Sequence, residues 1–227
     1  MTSLLDIDSL TGGYAGTQVL FEVSARIEAG AVLGVLGRNG VGKSTLARLV
    51  QGGLPPVRGD IRLNGQLINP AQAHERRALG IGYMPQTGMV FDDLTVAENL
   101  YLGDNRVDPE TYFERFPRLA ERLRQPAGTL SGGERKLLAF VRAMSENTQL
   151  LVLDEPSEGV QPENIERMAD CITERAADGA GVLLCEQNLV FLMRVASRYL
   201  GLDTGRVVLD KAADQVSEAE LRAVLSL

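Results

Sequence analysis

The chain has 227 residues, 44% of them hydrophobic, with a formal net charge of −7. That is enough apolar material for one sizeable α/β core or two closely joined subdomains, and it excludes a disordered chain. The acidic balance argues against nucleic acid as the main partner, because there is no basic excess to neutralise phosphates. Two cysteines, Cys171 and Cys185, lack metal-like spacing and suit a reducing compartment, where they read as small apolar core filler. Residues 1–4 open no signal peptide, and no apolar run approaches the roughly 20 residues of a membrane span.

Residues 4–8 alternate as an exposed strand, and residues 19–27 do so more loosely. Between them residues 11–16 read as a turn carrying Tyr14. This tyrosine is either an ordinary loop aromatic or a flat surface on which a base can stack. Residues 31–36 are a buried strand running into Gly37-Arg38-Asn39-Gly40-Val41-Gly42-Lys43-Ser44-Thr45, and a helix-compatible segment follows to residue 51. This is G-x-x-x-x-G-K-[ST] in the strand–loop–helix setting that the phosphate-binding loop requires. Glycines let the backbone turn its N–H groups inward, and the following helix offers its positive end to the same place. Lys43 is expected to reach the β- and γ-phosphates and Ser44 to ligate Mg²⁺.

Residues 59–65 read as a short strand entering an Asn64-Gly65 turn, and residues 71–79 as a weak helix. That helix carries His74, the one histidine, in what reads as a polar, solvated stretch with Gln72, Glu75, Arg76 and Arg77. Residues 81–86 read as a buried strand closed by Pro85, and Gln86 begins a loop. Residues 94–124 have a helical pattern broken by Gly103, Pro109 and Pro117. In Leu130-Ser131-Gly132-Gly133-Glu134 the Ser131 and Glu134 spacing is a capping box before a largely buried helix. Two glycines in a first helical turn are poor helix formers, and they make sense where a group must approach the backbone closely. The segment is therefore either a well-capped helix alone or a second anion site.

Residues 149–156 are a continuous apolar run ending at Asp154 and Glu155, a central parallel strand buried on both faces. Ligands in such sheets bind beyond the carboxyl ends of the strands, so both acids are expected at the nucleotide. Asp154 suits the outer coordination of Mg²⁺, and Glu155 is placed to polarise a water attacking the γ-phosphate. Residues 162–176 are a covering helix, 181–188 another buried strand with a polar ending, and 189–197 a further helix. Thr204-Gly205 reads as a hairpin turn, and residues 217–227 as a helix opened by a Ser217/Glu220 capping box.

The ordered set Tyr14, residues 37–45, Gln86, residues 130–134, residues 150–156 and the strand ending at Glu186 resembles the ATP-binding cassette (ABC) ATPases over nearly the whole chain. The resemblance implies one ABC ATPase domain, with a phosphate-loop (RecA-like) parallel-sheet α/β core and an N-terminal antiparallel β part. The core would span residues 1–86 and 146–227, with a helical signature subdomain at about 87–145. It also implies roles. Tyr14 would stack on adenine, and residues 37–45 would hold the phosphates of ATP. Gln86 would contact Mg²⁺ or the attacking water and sense the membrane partner. Ser131, Gly132 and Gly133 would close on the γ-phosphate bound by a second cassette, Glu155 would be the catalytic carboxylate, and residues 157–160 would lie across the dimer seam.

At the position where most members carry a switch histidine, this chain has Gln187. Its amide can donate to a phosphate oxygen but cannot titrate near neutral pH, so it can position and tune but not shuttle protons.

Within the family, residues 56–65, 94–100 and 186–188 look like the ATPases of branched-chain amino-acid uptake, and residues 157–162 lean toward urea and short-amide importers. The expected partners are a second cassette (identical or paralogous), transmembrane permease subunits and, indirectly, an extracytoplasmic solute-binding protein. The expected place is the cytoplasmic face of the inner membrane. Two other readings stay open, a soluble ABC ATPase acting on DNA or ribosomes and a regulatory cassette with weak hydrolysis.

Overall fold

In a computed structural model, residues 3–14 and 16–226 are described; Met1, Thr2, Ala15 and Leu227 are not, so the expectations for the extreme N-terminus and for the last helical residue lie partly outside it. The elements run β1 (Leu5–Tyr14), β2 (Thr17–Ile27), β3 (Val32–Leu36), α1 (Lys43–Gln51), β4 (Arg58–Leu63), β5 (Gln66–Leu67), α2 (Ala73–Ala78) and β6 (Ile81–Met84). There follow α3 (Val96–Leu100), α4 (Pro117–Ala120), α5 (Gly132–Ser145), β7 (Leu150–Asp154), α6 (Pro162–Ala177), β8 (Gly181–Cys185), α7 (Leu189–Val195), β9 (Arg198–Asp203), β10 (Arg206–Ala212) and α8 (Glu218–Ser226).

Two sheets form. One, in the order β2-β1-β4-β5, is antiparallel; the other runs β10-β9-β3-β8-β7-β6, all parallel except for the β9–β10 hairpin. The parallel strands are apolar along their whole length because both faces are covered. The twofold alternation of a strand divides each between two cores. Leu150 and Val152 of β7 point toward α1 and the antiparallel sheet, whereas Leu151 and Leu153 point toward α5, α6 and α7. The fold is thus an α/β core with an antiparallel β layer, as the sequence implies.

Three expectations are corrected. The segment read as a turn at residues 11–16 is strand as far as Tyr14. Gly12 and Gly13 continue the ladder against β2 through irregular register, so glycine here marks bulged strand rather than turn. The helical pattern over residues 94–124 resolves into two short α-helices and one turn of 3₁₀-helix at Pro109–Tyr112, because the prolines and glycine break the backbone ladder.

Arg76, read as solvated, is 1% exposed. Its guanidinium donates to the carbonyls of Leu49 (2.6 Å), Val50 (2.8 Å) and Ala71 (2.9 Å), satisfying the carbonyl end of α1. Burial pulls its pKa down to about 10. Replacing it by methionine would strand those carbonyls. Urea unfolding of Arg76→Met is expected to show a loss of about 3 kcal/mol; a loss under about 0.5 kcal/mol would mean the bonds are replaced by water. His74 itself is exposed, as expected.

Candidate nucleotide site

Four loops leave the carboxyl ends of neighbouring parallel strands on one edge of the sheet: residues 37–42 after β3, Gln86 after β6, Glu155 after β7 and Glu186 after β8. They surround a cleft of about 410 Å³ lined by Tyr14, Asn39, Gly40, Gly42, Lys43, Ser44, Thr45, Gln86 and Glu155, with Val19 on one wall. Sequence separations of up to about 140 residues thus collapse to neighbours on one sheet edge.

The phosphate loop is built as its motif requires. Gly42, with φ +115, caps α1 in a conformation that side chains disfavour, and a Cβ there would stand 2.5 Å from Leu20. No side chain caps α1, so its first-turn N–H groups stay open toward the cleft. Lys43, 3% exposed, folds back across the loop, donating to the carbonyls of Gly37 (2.9 Å) and Arg38 (3.1 Å). The Arg38 and Asn39 residues are exposed on the rim, and Val41 anchors the loop from below by accepting a bond from the Gly205 N–H at 3.0 Å. Ser44 Oγ donates to Asp154 Oδ1 at 3.0 Å. Burial, opposed by that bond, raises Asp154 to about 6.

Glu155 has φ +47, a left-handed conformation that costs a non-glycine residue about 1–2 kcal/mol. Its N–H still extends the sheet by donating to the Cys185 carbonyl at 2.8 Å, while the turn swings its carboxylate into the cleft. There Oε1 lies 3.1 Å from Lys43 Nζ, and Oε2 accepts from Gln86 Nε2 at 2.9 Å. Both ionised groups are buried, so the pair is held by mutual attraction without solvent screening. A phosphate entering the loop competes with Glu155 for the same ammonium.

Tyr14, 36% exposed as a residue, lies at the cleft mouth, backed by the Arg48 guanidinium 5.3 Å from the ring centroid. One flat face is thereby supported while the ring edges the cleft. The donor set fits a nucleoside triphosphate: an aromatic plate at one end, an uncapped helix with a lysine in the middle, and hydroxyl, amide and carboxylate groups at the other. Among the described residues, no group of three or more histidine, cysteine or acidic side chains is arranged to hold a metal ion. Ser44, Gln86 and Asp154 therefore suit Mg²⁺ that arrives largely coordinated by phosphates and water rather than in an all-protein cage.

Ser131, Gly132 and Gly133 are not in this cleft. They open α5 on the exposed surface, where the capping box forms: Ser131 Oγ donates to Glu134 Oε2 at 2.8 Å and accepts from the Glu134 N–H at 3.4 Å. Gly133 is needed within the chain, since a Cβ there would stand 2.9 Å from the Gly159 carbonyl. A Cβ at Gly132 would meet nothing within 4 Å. Nothing in this chain crowds Gly132, which leaves its backbone accessible to a group from outside. Gln187 is likewise exposed, on the rim beyond β8.

Two residues to which the sequence reading gave no role complete the site. Glu186, 3% exposed, accepts from Ser157 N (3.2 Å) and Oγ (2.7 Å) with one oxygen and from the N–H groups of Gln187 (2.8 Å) and Asn188 (3.1 Å) with the other. It ties the loop after β7 to the loop carrying Gln187. Lys136, 7% exposed, bonds to the Gln86 carbonyl and lies 3.8 Å from Glu158 Oε2. Its signal in the sequence is a lysine on the stripe of Phe140 and Met144, positions buried at helical spacing.

A phosphate loop on a parallel sheet, with an acid pair at the end of β7, one strand removed from β3, defines a phosphate-loop nucleoside triphosphatase. The sequence profile of the family described as ABC transporter matches residues 20–158. The high-affinity branched-chain amino acid transport ATP-binding protein BraG of Pseudomonas aeruginosa is 35% identical over 227 residues, 96% of this chain and 97% of that protein. The probable branched-chain amino acid transport ATP-binding protein LivF of Archaeoglobus fulgidus is 37% identical over 219 residues, 93% of each. The lipopolysaccharide export system ATP-binding protein LptB of Escherichia coli K12 is 30% identical, over 95% of this chain and 93% of that one. A solved ATP-binding subunit of an ABC transporter superposes with a TM-score of 0.87 at 28% identity, covering 99% of this chain and all of the other. A nucleotide-free ATP-binding cassette gives 0.81 at 25%, covering 99% and 96%. The chain belongs to the ABC transporter family and is one of its ATP-binding, ATP-hydrolysing subunits.

Proposed function

We propose that this subunit powers uptake of branched-chain or other hydrophobic amino acids through separate membrane subunits. The likeness over nearly the full length to two branched-chain amino acid transport proteins carries the proposal; the lipopolysaccharide-export relatives are less similar, at 30–33%. Urea and short amides are the alternative cargo, on the wording of residues 157–162. No described helix is long and apolar enough to cross a membrane, so in this reading other chains cross it. Four large apolar side chains of the helical segment stand exposed, Met89, Phe91, Tyr101 and Leu102. Met89 and Phe91 follow Gln86 closely in the chain, and the four supply a surface for a permease loop.

In this reading Lys43 and the open N–H groups of α1 hold the β- and γ-phosphates, and Tyr14 carries the adenine. Ser44 and Gln86, with Asp154 behind them, hold Mg²⁺, which neutralises charge on the phosphates. Glu155 is the catalytic carboxylate: released from Lys43, it accepts a proton from the attacking water, oriented by Gln86. Gln187 donates an amide N–H toward the γ-phosphate. Ser131 and Gly132 act on the nucleotide of an opposing cassette, the hydroxyl being shared with or released from Glu134. Closure of the pair by ATP and its release by hydrolysis provide the differential affinity that a transport cycle needs. The subunit sits on the cytoplasmic face of the membrane.

Purification of the tagged chain from native membranes tests this. The expected result is co-recovery of membrane-spanning subunits, with loss of leucine, isoleucine or valine uptake when the gene is deleted. Recovery of ribosomes or DNA, or loss of urea uptake alone, would overturn the assignment of cargo or class. At the base, Tyr14→Ala is expected to weaken ATP binding about tenfold, the worth of one stacked base, while Tyr14→Trp retains it. Fluorescent-nucleotide titration reads both.

A further inference from the structure

The catalytic cleft and the exposed start of α5 serve different nucleotides in the proposed sandwich, yet a short chain of side-chain contacts joins them. Gln86 Nε2 donates to Glu155 Oε2 (2.9 Å) and to Glu158 Oε2 (3.1 Å). Lys136 Nζ bonds to the backbone carbonyl of the same Gln86 and faces the same Glu158 oxygen at 3.8 Å. The ammonium is almost wholly buried, although its three donors have anchors only on loops that contain the reacting groups. A buried lysine that merely filled space would be better replaced by a hydrocarbon. Lys136 lies one helical turn from Gly132, on the same face of α5, and Gly133 packs directly on the Gly159 carbonyl of the loop that carries Glu158. A helix is stiff over one turn, so whatever holds Lys136 also fixes Ser131, roughly 7.5 Å along the axis.

We propose that Lys136 is a positioning residue that couples the two nucleotide sites: it clamps α5 to the Gln86 and Glu158 loops, so that the state of Gln86 and Glu155 at this chain's own nucleotide sets the placement of Ser131 at the opposing one. The inference rests on the sandwich reading above. When Gln86 turns from Glu155 toward Mg²⁺ or water, its carbonyl shifts the ammonium. The shift passes through α5 as a rigid body and brings Ser131 and Gly132 into place only when the chain's own site is filled. Two sites linked in this way respond cooperatively to ATP.

The test uses the complex purified from native membranes through this chain, as wild type, Lys136→Met and Lys136→Arg. Fluorescent-ATP affinity and the ATP dependence of turnover are both read. Lys136 reaches Gln86 only at its backbone carbonyl and not at the side-chain amide assigned to Mg²⁺, and it touches none of the phosphate-loop residues, so nucleotide affinity in Lys136→Met is expected to stay within about twofold. Turnover should fall about tenfold or more, and the Hill coefficient should drop from about 2 to about 1. Lys136→Arg, which keeps the charge and the donors, should recover most of both. A Hill coefficient and turnover unchanged in Lys136→Met would overturn the inference, as would parallel loss of affinity and turnover, the mark of a merely structural residue, or a hyperbolic wild-type curve. Glu158→Gln, on the exposed loop, removes the other anchor and must lower the Hill coefficient too, even where Lys136→Met accumulates poorly. A wild-type complex with no ATPase, or with no membrane partner, would instead remove the proposed function.

Discussion

Glu155→Gln should bind ATP and fail to turn it over, with kcat lowered about 10³-fold and affinity equal to or tighter than wild type. The amide is isosteric and the strained turn at φ +47 is retained, so the loop is not disturbed. What disappears is the proton acceptor. The affinity expectation follows from the nucleotide-free geometry. Glu155 lies 3.1 Å from Lys43 Nζ, so the carboxylate competes for the ammonium that the phosphates need. A neutral amide competes less. Phosphate release and nucleotide titration on the same preparation check both halves. Turnover above about a tenth of wild type would take the catalytic role away from Glu155.

Lys43→Met should have the largest effect on binding, weakening ATP about 100-fold, or ~2.7 kcal/mol. It should also destabilise the nucleotide-free protein. Lys43 is the buried partner of Glu155 and the donor to the carbonyls of Gly37 and Arg38, and removing it leaves a carboxylate uncompensated at the cleft floor. Breaking a buried pair from one side costs about 3 kcal/mol. Adding Glu155→Gln to Lys43→Met should recover about half of that in urea unfolding, because the stranded charge is then gone. No recovery would mean that the pair is relieved by water or by movement of the loop, and the competition invoked for Glu155→Gln would lose its basis.

The phosphate loop, the acid pair and the two capping boxes were legible because each is a local arrangement. Gly42 turns where the motif requires, and Ser131/Glu134 and Ser217/Glu220 make the reciprocal bonds their spacing implies. Where local signals compete, the reading misplaced elements. The glycines before Tyr14 suggested a turn, yet pairing with β2 carries the strand through them. Arg76 stands among polar neighbours in sequence, but the carbonyl end of α1 lies above it in space.

The sequence by itself therefore determined that this is a phosphate-loop ATPase and which residues stand at the reacting end of each strand. Backbone sterics and hydrogen bonds acting within a few residues write those features into short, ordered motifs. Only the tertiary structure decided how the motifs touch. Glu155 rests on Lys43, Glu186 gathers the loops of Ser157 and Gln187, and Lys136 meets Gln86 from 50 residues away. Periodicity names the face on which a side chain lies. It says nothing of which loop from a distant strand will be packed against that face, since that depends on sheet order and on burial shared across the whole chain.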